Sequence, residues 1–201
     1  MDLSVPGFAV LFVFLTATTT AMSIYEEKRN GSFRRLMAAP IGKAGLLVGK
    51  MLPNICRTLA QIIVVFGISS VLLPAFGLGR LSLGNHPLAL ILISLLIALC
   101  STCLGLLLAA ICRTESQISA LGSVALWVMG AVSGAFIPQF ILGDLLGTIG
   151  RAIPHYWAIA AYQDILVRNQ GLSGIATEAL ILAGFTLLFA CLGAWRFRFE
   201  R

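Results

Sequence analysis

Few side chains in this sequence could do chemistry, and they do not form a catalytic set. The two histidines, His86 and His155, have no evident partner in the sequence, so we interpret both as loop residues. A hydrolase or transferase would need an acid pair, a His–Ser set or metal ligands. The five cysteines lie within or at the ends of apolar segments, where they are typical of small buried side chains. The sequence therefore predicts no catalytic residue and no metal site.

A nucleotide site is not predicted either. The stretch GKAGLLVGKM, residues 42–51, is superficially similar to a phosphate-binding loop. That loop requires glycine five residues before Gly49, where Ala44 stands, and serine or threonine after Lys50, where Met51 stands. We therefore expect the chain to bind no cofactor, so that energy for any active transport comes from a partner.

Carboxylates are missing from the middle of every apolar segment. A carrier coupled to protons or sodium usually buries ionisable groups within its membrane spans. Four of the acidic residues instead fall in predicted loops or at span ends: Glu115, Asp144, Asp164 and Glu178. Ion-coupled transport remains an alternative function, but a disfavoured one.

Charge is concentrated in one short stretch, YEEKRNGSFRRLMAAP, residues 25–40. We expect the preceding helix to continue to Lys28 or Arg29 and to stop at Asn30–Gly31, because glycine readily adopts the left-handed conformation of a helix end. Ser32 can then cap a short amphipathic helix that ends before Pro40. Phe33, Leu36 and Met37 share one face of that helix, and Arg34 and Arg35 point elsewhere.

This stretch has two interpretations. Its basic residues could simply anchor the chain to anionic lipid. However, anionic lipid would repel Glu26 and Glu27, whereas alternating acids and bases suit a protein partner.

The elements that position these residues are long apolar segments. The chain has 201 residues, of which 59% are hydrophobic and 11% are charged; soluble domains carry about 25% charged residues. Since a helix needs roughly 20 apolar residues to cross a bilayer, we predict an all-α polytopic membrane protein that forms one domain over residues 1–201. The five predicted spans are 5–24, 51–74, 87–111, 118–141 and 175–195.

Basic residues predict the orientation. Ten lie in one set of loops and three in the other, which indicates that residues 25–40 and the C-terminus are cytoplasmic. The positive charge therefore indicates a membrane protein rather than a nucleic-acid partner. Five spans then leave the N-terminus outside the cell.

The segment 138–168 on the outer side holds two apolar pieces that are too short to span. Their lengths are typical of a re-entrant helix pair, which would close the outer end of a transport pathway. Alternatively, the segment is an apolar loop that rests on the lipid. Three aromatic residues fit an outer interfacial belt: Tyr156, Trp157 and Tyr162.

Small residues mark two spans. Thr16, Thr19 and Thr20, near the inner end of the first span, either line a substrate path or hold helices together. Gly122, Gly130 and Gly134 in the fourth span permit close helix contact, within the chain or between two copies.

Several motifs together resemble the membrane subunit of type-2 ABC exporters, the ABC-2 permease family. They are VPGFAVLFVFL, YEEKRNGSFRRLMAAPIGKAGLLVGKMLP, LGLLLAAICRTESQ, GAFIPQF and IPHYWAIAAYQDIL. The resemblance covers essentially the whole chain. Family members usually carry six helices, and Met1 falls just before what resembles the second of these.

The resemblance implies that residues 25–40 form a coupling helix that meets a separate ATPase subunit, which uses ATP and Mg²⁺. The residues that would make this contact are Glu26, Glu27, Arg29, Gly31, Phe33, Arg34, Arg35 and Leu36. It also implies that 138–168 is an outer re-entrant pair, with Pro138, Pro154, His155 and Trp157 as its gate residues.

We therefore predict a permease subunit in the bacterial plasma membrane that dimerises with a second copy or a paralogue. Its substrate would be amphipathic or hydrophobic: a drug, an antibiotic or a lipid-like molecule. The alternative from another class is a non-transporting membrane scaffold whose basic loop only contacts lipid.

Overall fold

The computed structural model describes residues 4–31, 43–77, 84–136 and 143–197. Within these ranges the chain is helical and contains no strand. The described ranges hold seven helices: α1 (Ser4–Arg29), α2 (Lys43–Ala75), α3 (Pro87–Ile111), α4 (Glu115–Val132), α5 (Gly143–Gly150), α6 (Pro154–Leu166) and α7 (Ala176–Arg196). The all-α fold predicted from the sequence is confirmed.

Among the helices of the described residues, four are long and apolar enough to cross a membrane: α1, α2, α3 and α7. Helices suit these segments because they satisfy every backbone hydrogen bond internally, which lipid cannot do. Helix α2 starts at Lys43, well before the predicted position 51, whereas α3 has the predicted bounds.

The predicted span 118–141 differs from the structure. Helix α4 begins at Glu115, where Thr114 caps it by accepting a hydrogen bond from the Gln117 N–H, and it ends at Val132. Gly134 follows in a left-handed turn with φ 92°, which stops the helix. Its 18 residues reach about 27 Å, slightly less than the roughly 30 Å of a hydrocarbon core.

Helix α1 is at the centre of the bundle. It contacts α2, α3, α4 and α6, and α3 also packs along α7. Within their apolar stretches, 56% of α1 and 61% of α3 is buried, against 17% of α2 and 11% of α7. We therefore describe α1 and α3 as the core pair and α2 and α7 as flanking helices with outward apolar surfaces.

Glycines let the neighbours of α1 approach its backbone. A Cβ atom on Gly105 of α3 would lie 2.7 Å from the Ala17 carbonyl oxygen, and one on Gly7 would lie 2.6 Å from the Ala135 carbonyl oxygen. Gly122 and Gly130 of α4 instead lie against side chains of α1, those of Thr18 and Leu11. The two α4 glycines therefore serve contacts within the chain, the first of the two uses that their sequence spacing allowed.

The two ends of the bundle differ in composition. At one end, here called the basic end, α1, α3 and α7 finish and α2 and α4 begin. The opposite end carries α5 and α6, which are separated by a short break at 151–153. Helix α6 packs against α7, α1 and α3, so this pair is attached to the helix core.

Candidate functional site

The last turn of α1 leads into the charged stretch that the sequence singled out. The Asn30 N–H donates to the Glu26 carbonyl at 2.9 Å, and Gly31 has φ 69°. The predicted helix stop at Asn30–Gly31 is confirmed. The rest of the predicted coupling helix, including Phe33, Arg34, Arg35 and Leu36, lies outside the described residues, as does the predicted gate residue Pro138.

Two predicted contact residues make ion pairs within the chain. Glu27 of α1 pairs with Lys50 of α2, and both side chains are partly exposed, at 30% and 25%. Arg29 of α1 pairs with Glu115 at the start of α4, with 2.7 Å between Nη1 and Oε1. The end of α1 is therefore linked by charge to two other helices, which the sequence pattern did not reveal.

Glu26 differs from these two. Its side chain is exposed in the same turn, so it is available to a partner. Gly31, just after the last turn of α1, is half-buried. Of the predicted coupling residues in the described ranges, Glu26 alone presents an exposed carboxylate.

The threonines of α1 take part in helix contacts. The Thr16 hydroxyl donates to the Val13 carbonyl at 2.6 Å and lies 3.3 Å from both the Thr58 and the Ser101 hydroxyl oxygens. Thr20 is buried and sits against Gly105, whereas Thr19 is exposed. Three hydroxyls from α1, α2 and α3 thus converge inside the bundle.

The sequence reasoning missed Thr58 and Ser101. Both are buried, and each also donates a hydrogen bond to a backbone carbonyl, that of Asn54 and that of Val13 respectively. The available signal was a hydroxyl in the middle of an apolar span, because such groups bond across helices.

The structure corrects the interpretation of His155 as a loop residue. It lies in the first turn of α6 rather than in a loop, and it is fully buried. Its ring stacks on Phe14 of α1, with centroids 4.0 Å apart and a 26° angle between planes. Among the described residues neither ring nitrogen has a hydrogen-bond partner. Pro154 at the first position of α6 starts this helix, because its fixed φ suits that position.

The prediction of an outer aromatic belt is partly wrong. Tyr162 is fully buried, and its hydroxyl lies 2.9 Å from the Ser94 hydroxyl of α3. Tyr156 and Trp157 are half-buried, and Trp157 Nε1 donates to the Arg151 carbonyl at 2.8 Å across the break between α5 and α6. Tyr162 therefore belongs to the core between α6 and α3 rather than to a lipid interface.

Carboxylates occupy few buried positions in the described part of the chain. Asp164 lies in α6 rather than in a loop, and it is buried and paired with Arg168 at 2.5 Å. Glu178 is in the first turn of α7. The described ranges hold no group of three or more His, Cys, Asp or Glu side chains that could bind a metal ion.

Comparison with known proteins assigns these features to a family. The family model described as "ABC-2 family transporter protein" matches residues 2–195. This chain belongs to the ABC-2 transporter family. This match confirms the ABC-2 resemblance found in the sequence. Proteins of the ABC-2 family are membrane subunits and are not themselves ATPases.

Individual relatives agree with this assignment. The ABC-2 chain is 30% identical over 186 residues to the linearmycin resistance permease protein LnrN of Bacillus subtilis, which covers 92% of this chain and 46% of LnrN. It is 24% identical over 184 residues to the inner membrane transport permease YhhJ of Escherichia coli, which covers 92% of this chain and 48% of YhhJ.

A eukaryotic relative is ABC transporter G family member 20 of Dictyostelium discoideum, which is 27% identical over 173 residues, 86% of this chain and 23% of that protein. The ABC-2 chain thus spans less than half the length of these relatives. No solved structure matches it.

Proposed function

We propose that this chain is the permease part of an ATP-driven exporter in the bacterial plasma membrane. It would move an amphipathic or hydrophobic substrate out of the cell, with ATP and Mg²⁺ used by a separate ATPase subunit. Membership of the ABC-2 family supports the transport role. The name of the LnrN relative, a linearmycin resistance permease, favours an antibiotic-like substrate.

The basic end is the side that we assign to the cytoplasm. Lys28, Arg29, Arg113 and Arg196 lie together there at the ends of three helices, and excess basic charge marks cytoplasmic loops. The charged stretch 25–40 would then face an ATPase subunit, with the exposed Glu26 at its start.

The observation that carries the coupling proposal is the pair of ionic links at the end of α1. A push on residues 25–40 reaches α1 directly, α2 through Glu27–Lys50 and α4 through Arg29–Glu115. Because ATP binding closes the two ATPase subunits of such a transporter, this arrangement would move three helices of each permease together. The cavity between two permease copies or paralogues would then change its side of access.

The opposite end would act as the outer gate. Helix α6 is fixed to α1 by the His155–Phe14 stack and to α3 by the Tyr162–Ser94 contact. Trp157 holds α6 to the break that precedes it through the Arg151 carbonyl. A rigidly attached helix pair at this end would open only when α1 moves.

The competing function is a membrane scaffold that moves no substrate. In that case the basic end would contact lipid alone, and no ATPase subunit would bind to it. An ion-coupled carrier is less compatible with the described residues, because α2 and α3 hold no carboxylate and those of α1 and α7 lie in terminal turns.

The test combines co-purification with ATPase activity. The full chain is co-expressed in membranes with the ATPase subunit from the same genome, as wild type, Glu27→Lys, Lys50→Glu and the double reversal. We expect each single change to uncouple substrate-stimulated ATP hydrolysis, because it places like charges together. The double reversal should restore it, because it rebuilds the pair.

Gly31 gives a second, matched comparison. Proline cannot adopt φ 69°, so Gly31→Pro should abolish co-purification, whereas asparagine tolerates this conformation and Gly31→Asn should retain it. Membrane insertion of each variant is the control. Equal co-purification of all variants, or none with the wild type, would leave the scaffold function standing.

A further inference from the structure

A cavity of about 310 Å³ opens at the basic end between the last turns of α1, α3 and α7. Four cationic side chains line it: Lys28 and Arg29 from α1, Arg113 just after α3, and Arg196 from α7. Tyr25 adds a phenol, and residues 109–111 of α3 add an apolar wall. Neither Arg113 nor Arg196 takes part in the two ionic links at the end of α1.

Two of the four cations already have partners. Arg29 pairs with Glu115, and Lys28 lies with its Nζ 5.2 Å from the centroid of the Phe197 ring. By contrast, the Arg113 and Arg196 side chains form no ion pair with any residue in the described ranges, and both residues are exposed. The cavity therefore brings together two arginine side chains from two helices without a carboxylate between them.

The ends of the helices explain only part of this charge. Basic residues near a helix C-terminus complement its partial negative charge, which amounts to about −0.5 for each helix. Three helix ends and the Glu115 carboxylate together supply about −2.5 against four positive charges. A surplus of about +1.5 remains, which is enough to attract one phosphate group.

The shape of the cavity bears on the source of that phosphate. Ile111, at the apolar wall, has 57% of its surface exposed, so this wall continues outward along the lipid-facing side of α3. A phosphate joined to a glycerol and acyl chains could place its charge against the arginines and its apolar part along this wall. Basic pockets between membrane helices bind anionic head groups in this manner.

We propose that this cavity binds the phosphate of an anionic phospholipid from the leaflet at the basic end. Arg113 and Arg196 would each donate paired N–H groups to the phosphate oxygens, because the guanidinium fork matches their geometry. Lys28 would contribute a point charge and Tyr25 a hydroxyl donor.

The experiment measures lipid retention on the purified full chain by native mass spectrometry. Phosphatidylglycerol and phosphatidylcholine of the same acyl composition are compared on the wild type and on Arg113→Gln/Arg196→Gln. The matched control is Arg57→Gln/Arg151→Gln, which removes the same charge from exposed positions outside the cavity. A further variant, Arg196→Lys, keeps the positive charge but loses the paired N–H donors of the guanidinium group. It tests the site if the double variant does not fold.

We expect the wild type and the control to retain phosphatidylglycerol about 10- to 30-fold more tightly than phosphatidylcholine, and the cavity variant to lose that preference. The preference of Arg196→Lys should fall between them.

Inorganic phosphate distinguishes a lipid head group from a soluble phosphate ligand. If only a high concentration of phosphate displaces the lipid, the site binds a lipid head group. Tight binding of phosphate alone would instead identify a soluble ligand. Equal lipid preference in the wild type and the cavity variant would overturn the site. Binding of polyglutamate in place of lipid and phosphate would overturn it in favour of an acidic protein partner.

Discussion

The two halves of α1 are held by different chemistry. From its N-terminus as far as Thr20, which lies against Gly105, the contacts are close and uncharged: Gly7 lies against Ala135, and Phe14 stacks on His155. Towards its C-terminus the contacts are ionic: Glu27 pairs with Lys50, and an open basic cavity lies beside Arg29. One helix therefore passes from a dry, interlocked region to a charged and partly solvated one.

This contrast indicates which half can move. Close-packed atoms lose much of their attraction when they separate by less than 1 Å, so the interlocked half behaves as a rigid unit. Ion pairs near the surface contribute only about 0–1 kcal/mol and can break and re-form. We infer that the outer half of α1 moves as one rigid body with α6, whereas its basic end can change its contacts, as a lever would.

The largest expected effect is at His155. His155→Ala removes a fully buried ring that stacks on Phe14 and leaves a cavity, so we expect a loss of about 3 kcal/mol in the free energy of unfolding. His155→Phe keeps the ring and removes two buried nitrogens that have no partner among the described residues, so its stability should equal or exceed that of the wild type. Unfolding in mixed micelles measures both. Equal destabilisation by both changes would show that the nitrogens are bonded and that this region is not held by packing alone.

Gly105 gives the next effect. A Cβ atom here meets the Ala17 carbonyl oxygen and Thr20 Cβ at 2.7 Å, so Gly105→Ala must separate α1 from α3, at a cost of about 2 kcal/mol. Gly184→Ala is the matched control, because nothing lies within 4 Å of its Cβ position on α7. Alanine's higher helix propensity should leave that variant unchanged or more stable by up to about 1 kcal/mol. If both variants melted together, the close approach of the core pair would not be limiting.

The sequence was sufficient for most helix positions. Long apolar segments bounded by Pro87 and by Asn30–Gly31 predict α3 and the end of α1, because proline at a first turn and glycine at a last turn act locally. The end of α4 was not predicted, since Gly134 could continue the apolar pattern and its left-handed turn depends on the surrounding fold.

The contacts of the site could not be predicted in the same way. Glu27 and Lys50 are separated by the whole charged loop, and Arg29 and Glu115 by two helices, so only the assembled bundle brings them together. His155 and Tyr162 lie on a helix too short to span, where polar side chains suggested an exposed surface. Their burial follows from the packing of α6 against α1 and α3, a tertiary effect that hydrophobic pattern does not encode.

A double-mutant cycle on Glu27 and Lys50 measures the stronger ionic contact. We expect Glu27→Gln and Lys50→Gln to lower the free energy of unfolding, with a coupling energy of about 1 kcal/mol, because both side chains are less exposed than those of Arg29 and Glu115. The Arg168 and Asp164 pair at the opposite end, where Asp164 is buried, is a control for general charge effects. A coupling energy as large as the loss of about 2 kcal/mol expected for Gly105→Ala would mean that the basic end is held as firmly as the close-packed part of α1.

The smallest expected effect is at Arg29 and Glu115, whose side chains are 64% and 47% exposed. Their coupling energy should be below about 0.5 kcal/mol, and it should vanish at about 1 M salt, where charges are screened over roughly 3 Å. The measurement is the melting temperature of the wild type and of the Arg29→Gln, Glu115→Gln and double variants at low and high salt. Transport activity should respond more than stability does, because this pair links α1 to α4 without contributing much to folding. A pair that contributed strongly to stability and was insensitive to salt would instead show that the basic end of α1 is held rigidly. Any movement between α1 and its neighbours would then have to occur elsewhere along the helix.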